Sequence, residues 1–178
     1  MYYEHLKKAG EDLKMVTEQM GLNWDTWDYQ SLPAWGPCPG HEERPNQYDL
    51  YPVNFKLPFH TFTFTTQNPW LSELGEHHPY AYKILISSAT ATQKGIENGD
   101  LIWVESAAGR VKGEAMVTET VHPQAVGIAG IFGHWAAGMP LAKGKGVHFN
   151  ALLSSTPEYL DLVCAALDTC AKVRVYKA

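Results

Sequence analysis

The sequence predicts a mainly β protein built as a small closed barrel, and three observations predict it. Short apolar or alternating runs recur between turn residues from Leu50 to Ile131 and again near Ala178, which is strand spacing. The runs are joined by short hairpins, apart from one long glycine-rich connection after Gly133. Beyond an N-terminal helix, only one long segment, from Thr156, reads as helical. Six or so strands with so few helices favour closure of the sheet on itself.

Tyr2 to Met20 is the first element, because Leu6, Ala9, Leu13, Val16 and Met20 recur at steps of three and four. Gly21 and Asn23 supply its stop, while Gly10 within it costs about 1 kcal/mol relative to alanine. Asn23 to Asn46 combines Pro33, Pro37, Pro39 and Pro45 with Trp24, Trp27 and Trp35. Prolines oppose regular structure and tryptophans demand cover, so this stretch is expected to be an extended arm lying across another surface. Phe55 to Phe64 is expected as a strand, with His60, Phe62 and Phe64 on one side and Thr61, Thr63 and Thr65 on the other. Tyr82 to Ile86 is a second strand, and Ala89 to Lys94 a short helix that stops near Gly95. An Asn98-Gly99-Asp100 turn leads into the strand Leu101 to Glu105, and Ala107-Ala108-Gly109 returns the chain through a hairpin into Arg110 to Thr118. Ala125 to Ile131 follows as a strand. Thr156-Pro157-Glu158 has the hydroxyl cap, first-turn proline and early acid of a helix start, and Leu160, Val163, Ala166 and Leu167 share one face through Cys170. Lys172 to Tyr176 closes as a strand. The change in pattern divides the chain into residues 1–49, a helix and Pro/Trp-rich arm, and residues 50–178, the barrel with a C-terminal helix and strand.

A chain of 178 residues can bury about 70% of its unfolded surface, so a core without disulfide staples is feasible. The 45% apolar and 19% charged composition is globular rather than disordered. Net charge is −5 with no basic cluster, which excludes nucleic acid as a partner. One bound nucleotide remains compatible, since backbone N–H groups can hold its phosphates. Cys38, Cys164 and Cys170 show no metal-like spacing, and Cys164 and Cys170 read as small buried hydrophobes. Met1-Tyr2-Tyr3-Glu4 leads into a charged helix instead of an apolar signal core, and no run reaches membrane-spanning length, so a soluble, cytoplasmic chain with no membrane insertion is expected. The eight histidines lack zinc spacing, the acids form no recognisable acid–base pair, and no nucleophile motif is present. No catalytic residue and no metal ligand are therefore expected.

Two clusters carry chemistry. In Thr65-Thr66-Gln67-Asn68-Pro69-Trp70-Leu71, hydroxyls and two amides gather where a strand ends; they can bind a ring bearing donors and acceptors, or Asn68 can close a local turn before Pro69. Gly133-His134-Trp135 and Gly144-Lys145-Gly146-Val147-His148-Phe149-Asn150 flank a glycine-rich loop that would let a ligand approach the backbone, or be simply a flexible connection. Between them, Gly95-Ile96-Glu97-Asn98-Gly99-Asp100 reads as turn chemistry ahead of a strand.

Taken in order, His60 to Leu71, Ala91 to Ser106 with Gly109-Arg110-Val111, and Gly133 to Leu152 resemble the C-terminal molybdopterin-dinucleotide-binding domain of the dimethyl sulfoxide reductase superfamily of molybdenum and tungsten oxidoreductases. The resemblance covers about Leu50 to Leu153. It implies a six-stranded double-psi β-barrel with an N-terminal helix and arm and a C-terminal helix. It also implies a cofactor, bis(molybdopterin guanine dinucleotide) carrying molybdenum or tungsten, shared with domains that supply the metal ligand and the iron–sulfur cysteines. The cofactor-binding residues it implies are His60, Thr61, Thr63, Thr65, Thr66, Gln67 and Asn68 on one loop, and His134, Lys145, His148, Phe149 and Asn150 on the other. Where several relatives carry arginines, this chain has Thr66 and Gln67, which weakens any contact to charged groups there. The implied partners are the catalytic domains or subunit of a parent oxidoreductase, exported or membrane-associated, together with an iron–sulfur subunit; the chain alone would not be catalytic. The branch most resembled includes thiosulfate and polysulfide reductases. The competing expectation is a cofactor-free barrel that binds another protein. A self-processing decarboxylase barrel is excluded, because it needs a Gly-Ser bond and none is present.

Overall fold

The computed structural model describes residues 3–42, 47–164 and 166–178. Tyr2, Pro45 and Asn46, which belong to the expected first helix and arm, lie outside them. The chain forms two compact units: residues 1–39 with 155–168, and residues 40–154 with 169–178. A one-turn helix, α2 (Pro39–Glu42), begins at the boundary between them.

In the smaller unit, α1 (Glu4–Gln19) forms as its periodicity requires, and Gly21 in the left-handed region (φ +69°) follows its end. Its buried residues, however, are Gly10 and Thr17, while Val16 and Met20 of the apolar stripe stay 50% and 67% exposed. Gly10 provides room, since a Cβ there would lie 2.4 Å from Cβ of Tyr29. The Tyr29 hydroxyl in turn donates to the Leu162 carbonyl at 3.0 Å. The expected C-terminal helix is not present among the described residues. Pro157–Tyr159 makes a single 3-10 turn, after which the Asp161 carboxylate accepts the N–H groups of Val163 and Cys164. Leu160 then bridges Leu167 antiparallel. A carboxylate that captures those two N–H groups competes with helical hydrogen bonding and folds the apolar run into a tight turn.

The larger unit is one mixed six-stranded sheet: β1 (Tyr51–Phe55), β2 (Ile84–Ile86), β3 (Leu101–Glu105), β4 (Arg110–Val117), β5 (Ala125–Ala129) and β6 (Arg174–Lys177), in the order β1-β5-β2-β4-β3-β6. β1 runs parallel to β5 and β2 to β4; β2/β5, β3/β4 and β3/β6 are antiparallel. The architecture is therefore mainly β with few helices, and its paired strands do not form a continuous closed ladder. The two edges nevertheless meet at one point, where Leu50 and Val173 exchange backbone hydrogen bonds of 2.9 and 2.8 Å.

Alternation sets the faces. Ile102 and Val104 of β3 are fully buried between Leu101, Trp103 and Glu105, and they join Ile84, Ile86, Val126 and Ile128 in the core. The β3–β4 hairpin is locked by Ser106, whose hydroxyl accepts from the N–H groups of Ala108 and Gly109 and donates to the Leu152 carbonyl at 2.8 Å. Helix α4 (Ser88–Lys94) starts where the Ser87 hydroxyl accepts the Thr90 N–H and stops at left-handed Gly95. Asp100 accepts the Glu97 N–H at 2.8 Å, and Gly99 has φ +91°, so this motif is turn chemistry.

One expected strand is wrong in part. β1 ends at Phe55, and Phe62–Thr65 is a 3-10 turn with Phe62 at φ +48° and both Phe62 and Phe64 exposed. Helix α3 (Pro69–His77) follows directly, in a stretch to which the sequence pattern assigned no element.

Candidate functional site

The site is built where the loop after β1 meets the long connection after β5. Thr65 organises the first wall: its hydroxyl oxygen accepts the Thr61 N–H at 2.9 Å and lies 3.0 Å from Nδ1 of His60. The His60 ring packs against Phe59 and edge-on against Phe132, with centroids 4.9 and 5.5 Å away. Burial pushes its pKa below the ordinary imidazole value, so the ring is held neutral. Its Nε2 is buried and has no hydrogen-bond partner.

The chain then turns into α3. Asn68 caps that helix, its Oδ1 accepting from Trp70 N–H at 3.0 Å and Leu71 N–H at 3.3 Å, with Pro69 at the first position. The buried face of α3 is made of small residues, Ser72 and Gly75. A Cβ on Gly75 would sit 2.7 Å from the Tyr82 hydroxyl oxygen, so helix and ring can meet only across a glycine. Burial raises the Tyr82 phenol above its usual value; it stays protonated and donates to the Ser72 carbonyl at 3.4 Å.

The second wall is the connection from Gly130 to Leu152. Gly133 has φ +82°, and a Cβ there would lie 2.1 Å from the His148 backbone nitrogen, so only glycine fits. Its N–H donates to the Lys145 carbonyl at 2.8 Å, and Gly144 N–H donates to the His134 carbonyl at 2.9 Å. The His134 ring is committed to the Ile131 carbonyl through Nε2 at 3.0 Å. His148 stacks edge-on with Trp135 at 4.8 Å and is held neutral, chiefly by burial and then by His134.

Three contacts tie the walls together. Gln67 Oε1 accepts the Leu141 N–H at 3.2 Å; Lys145 donates to Ser72 Oγ at 2.9 Å and pairs with Glu76; and the His60 ring meets Phe132. Gln67 Nε2 is left buried without a partner. The accepting role fixes which amide atom is oxygen, so that orphan is a donor.

The structure thus brings His60, Thr65 and Gln67 up to the connection that carries His134, Lys145 and His148. Thr61 and Thr63 are exposed beside them. Others are already engaged. Thr66 is buried with its hydroxyl donating to the Thr63 carbonyl at 2.7 Å, Asn68 is the helix cap, and Phe149 is fully buried in the core. Asn150 lies exposed in a 3-10 turn, Phe149–Leu152, with its carbonyl accepting the Leu153 N–H. Sequence reasoning missed α3 and, with it, Ser72, Glu76 and Tyr82; the signal was there in Asn68-Pro69, a cap followed by proline. It also missed Asn54, whose Oδ1 is buried without a partner and which no motif marks.

By its fold the chain is similar to one part of a much larger solved protein. It superposes on acetylene hydratase from Pelobacter acetylenicus with a TM-score of 0.63 at 18% identity, over 92% of this chain and 22% of that one. The sequence pattern described as the Molydopterin dinucleotide binding domain matches residues 53–169, well over half of the chain, and the chain belongs to that family. It is 35% identical over 105 residues to the thiosulfate reductase molybdopterin-containing subunit of Salmonella typhimurium, a match spanning 59% of this chain and 13% of that protein. The cofactor of the family is thus of the molybdopterin type.

Proposed function

We propose that this chain binds and orients bis(molybdopterin guanine dinucleotide) as the C-terminal domain or small subunit of a molybdenum or tungsten oxidoreductase, the barrel being a double-psi barrel closed through Leu50 and Val173. The observation that carries the reading is Gln67, which bridges the two walls through Oε1 while its Nε2 is buried and unpaired beside them. A buried donor without a partner costs about 1–3 kcal/mol, so a site that keeps one is suited to a ligand that satisfies it. His60 Nε2 is a second such atom. Both suit the mixed donor–acceptor edge of a pterin.

When bound, the cofactor supplies the redox chemistry at its metal. This chain's residues hold it and keep water away. His60 and Gln67 would bond the ring, Thr61 and Thr63 are exposed alongside for further contacts, and Asn150 is exposed on the turn at the end of the second wall. The neutral His60 and His148 rings add no charge. Lys145 can reach phosphate only by exchanging its bond to Glu76. Exposed aromatics around the walls, Phe64 at 87%, Trp70 at 79% and Trp135 at 70%, support a surface covered by catalytic domains of a parent enzyme, and Trp24, Trp27 and Trp35 support the same for the arm. An iron–sulfur subunit is a further expected partner. Among the described residues no helix is long and apolar enough to cross a membrane.

The test is metal and pterin analysis of the full chain purified with its genomic neighbours from a cofactor-competent host. Pterin and molybdenum or tungsten should co-purify, and Gln67→Ala should lower both. A complex that forms without pterin, and is indifferent to Gln67→Ala, would leave the cofactor-free protein-binding module as the answer.

A further inference from the structure

Asn54 stands near the end of β1 with its carboxamide laid over Gly130. A Cβ built on Gly130 would lie 2.0 Å from the Asn54 Oδ1, 2.4 Å from its Cγ and 2.4 Å from its Nδ2. Gly130 does not adopt the left-handed backbone that would itself require glycine. The absent side chain leaves room for this amide. The room is spent on an unsatisfied group, because Asn54 Oδ1 is buried without a hydrogen-bond partner. A carboxamide placed only for packing would be better replaced by leucine, which has nearly the same shape and no orphan.

The location gives the orphan a use. Gly130 N–H donates to the Phe55 carbonyl at 3.3 Å, so Asn54 adjoins the point where β5 runs into Ile131, Phe132 and Gly133. That same connection meets His60 at Phe132 and Gln67 at Leu141. Among the described residues, four buried side-chain polar atoms lack partners, and three of them belong to Asn54, His60 and Gln67. Gln67 Nε2 is fixed as a donor by the bond that its Oε1 accepts, and Asn54 places its oxygen, an acceptor, at the buried position. A row of phosphates would call for donors alone. A site offering both an acceptor and a donor matches an amide-like heterocycle edge.

Resting on the reading above, we infer that Asn54 is a further binding residue of this site, a buried acceptor kept free by Gly130 for an N–H of the pterin ring and not for the phosphates. Its chemistry predicts a trade: without ligand the orphan weakens the chain, and with ligand it holds the ring.

The experiment compares Asn54→Leu, Gly130→Ala and Gln67→Leu in the full chain. Each is produced with its genomic neighbours in a cofactor-competent host and, separately, in a host that makes no pterin. The first preparation gives the rate of pterin loss on dialysis, read by fluorescence after oxidative release; the second gives the melting temperature. Asn54→Leu is expected to speed pterin loss about tenfold, the equivalent of one hydrogen bond, with a pterin-free melting temperature equal to or above the parent's. Gly130→Ala, which displaces the amide without altering it, should speed pterin loss in the same direction. If Gln67→Leu speeds the loss and the Asn54 and Gly130 variants do not, the inference falls and the cofactor reading stands. If none of the three does, both fall. A lowered pterin-free melting temperature for Asn54→Leu with unchanged pterin loss would make Asn54 a structural residue and overturn the proposal.

Discussion

The β3–β4–β6 sheet and the loop between β1 and α3 solve the same problem in opposite ways. On the sheet, outward polar side chains find each other: Glu105 accepts from both Arg174 and the Tyr176 hydroxyl, and Asp100 pairs with Lys177. These bonds hold the Glu105 and Asp100 carboxyls below their usual range, Tyr176 acting first on one and Lys177 on the other. The loop contributes two buried polar atoms with no partner, His60 Nε2 and Gln67 Nε2, and the end of β1 adds a third, Asn54 Oδ1. Arg174 Nε is the exception on the sheet, yet its guanidinium is already held by Glu105. One region is finished by its own residues, and the other leaves polar atoms free for the ligand proposed above.

Gly133→Ala tests the comparison most severely, because the rim then has to break at its tightest point. A Cβ cannot fit 2.1 Å from the His148 nitrogen, and φ is +82°, so a loss of about 3 kcal/mol or more is expected in urea unfolding. A smaller loss would mean that the connection from Gly130 to Leu152 is not rigidly folded on itself. Gln67→Leu comes next: pterin retention should fall by about 1–3 kcal/mol while the pterin-free chain changes little, since an orphan donor is removed along with one bond. If pterin-free stability collapses instead, the rim is ordinary structure. On the sheet side, Gly99→Val introduces a β-branched residue at φ +91° with open space around it, so only backbone strain of about 1–3 kcal/mol is expected. An unchanged urea midpoint would contradict the turn.

Acid should act on the rim before the sheet. His60 and His148 are both held below the ordinary imidazole value by burial, so the folded state prefers them neutral. Their contribution is complete above about pH 6.5, the unfolded value, and is lost as pH falls below it, because the unfolded chain takes up protons first. The melting temperature should fall between pH 7.5 and 5.5, and His60→Gln should flatten part of that fall. The smallest effect belongs to Glu76→Gln, which breaks an exposed ion pair to Lys145. Melting temperature should hardly move, whereas affinity for guanosine diphosphate should rise as the ammonium is released.

Strands whose apolar residues alternate within one core were legible: β3 and β4, with the Ser-Ala-Ala-Gly hairpin between them, sit where Ile102, Val104 and Val111 place them. Helix α4 was legible at its C-terminal end because Gly95 is a local signal. The segment His60 to Phe64 misled because Thr and Phe alternate without burial behind them; the Thr65 hydroxyl gathers the backbone N–H of Thr61 and winds the run into a turn. Apolar spacing misled again after Thr156, where the Asp161 carboxylate takes the N–H groups of Val163 and Cys164 in the middle of the expected helix. At the site, the two loops were readable as clusters of amides and glycines. Their distribution into engaged and free atoms was not, since that depends on neighbours remote in sequence, such as Leu141 for Gln67 and Gly130 for Asn54.

The Leu50–Val173 bridge carries a temporal consequence for biogenesis. Val173, just before β6, and Val175 within it enter the core after β1 to β5 in chain order, and Leu50 has no bridge to Val173 until they arrive. A nascent chain still tethered to the ribosome short of residue 173 would expose that seam, so closure waits for residues 173–177, and such long-range pairing folds slowly.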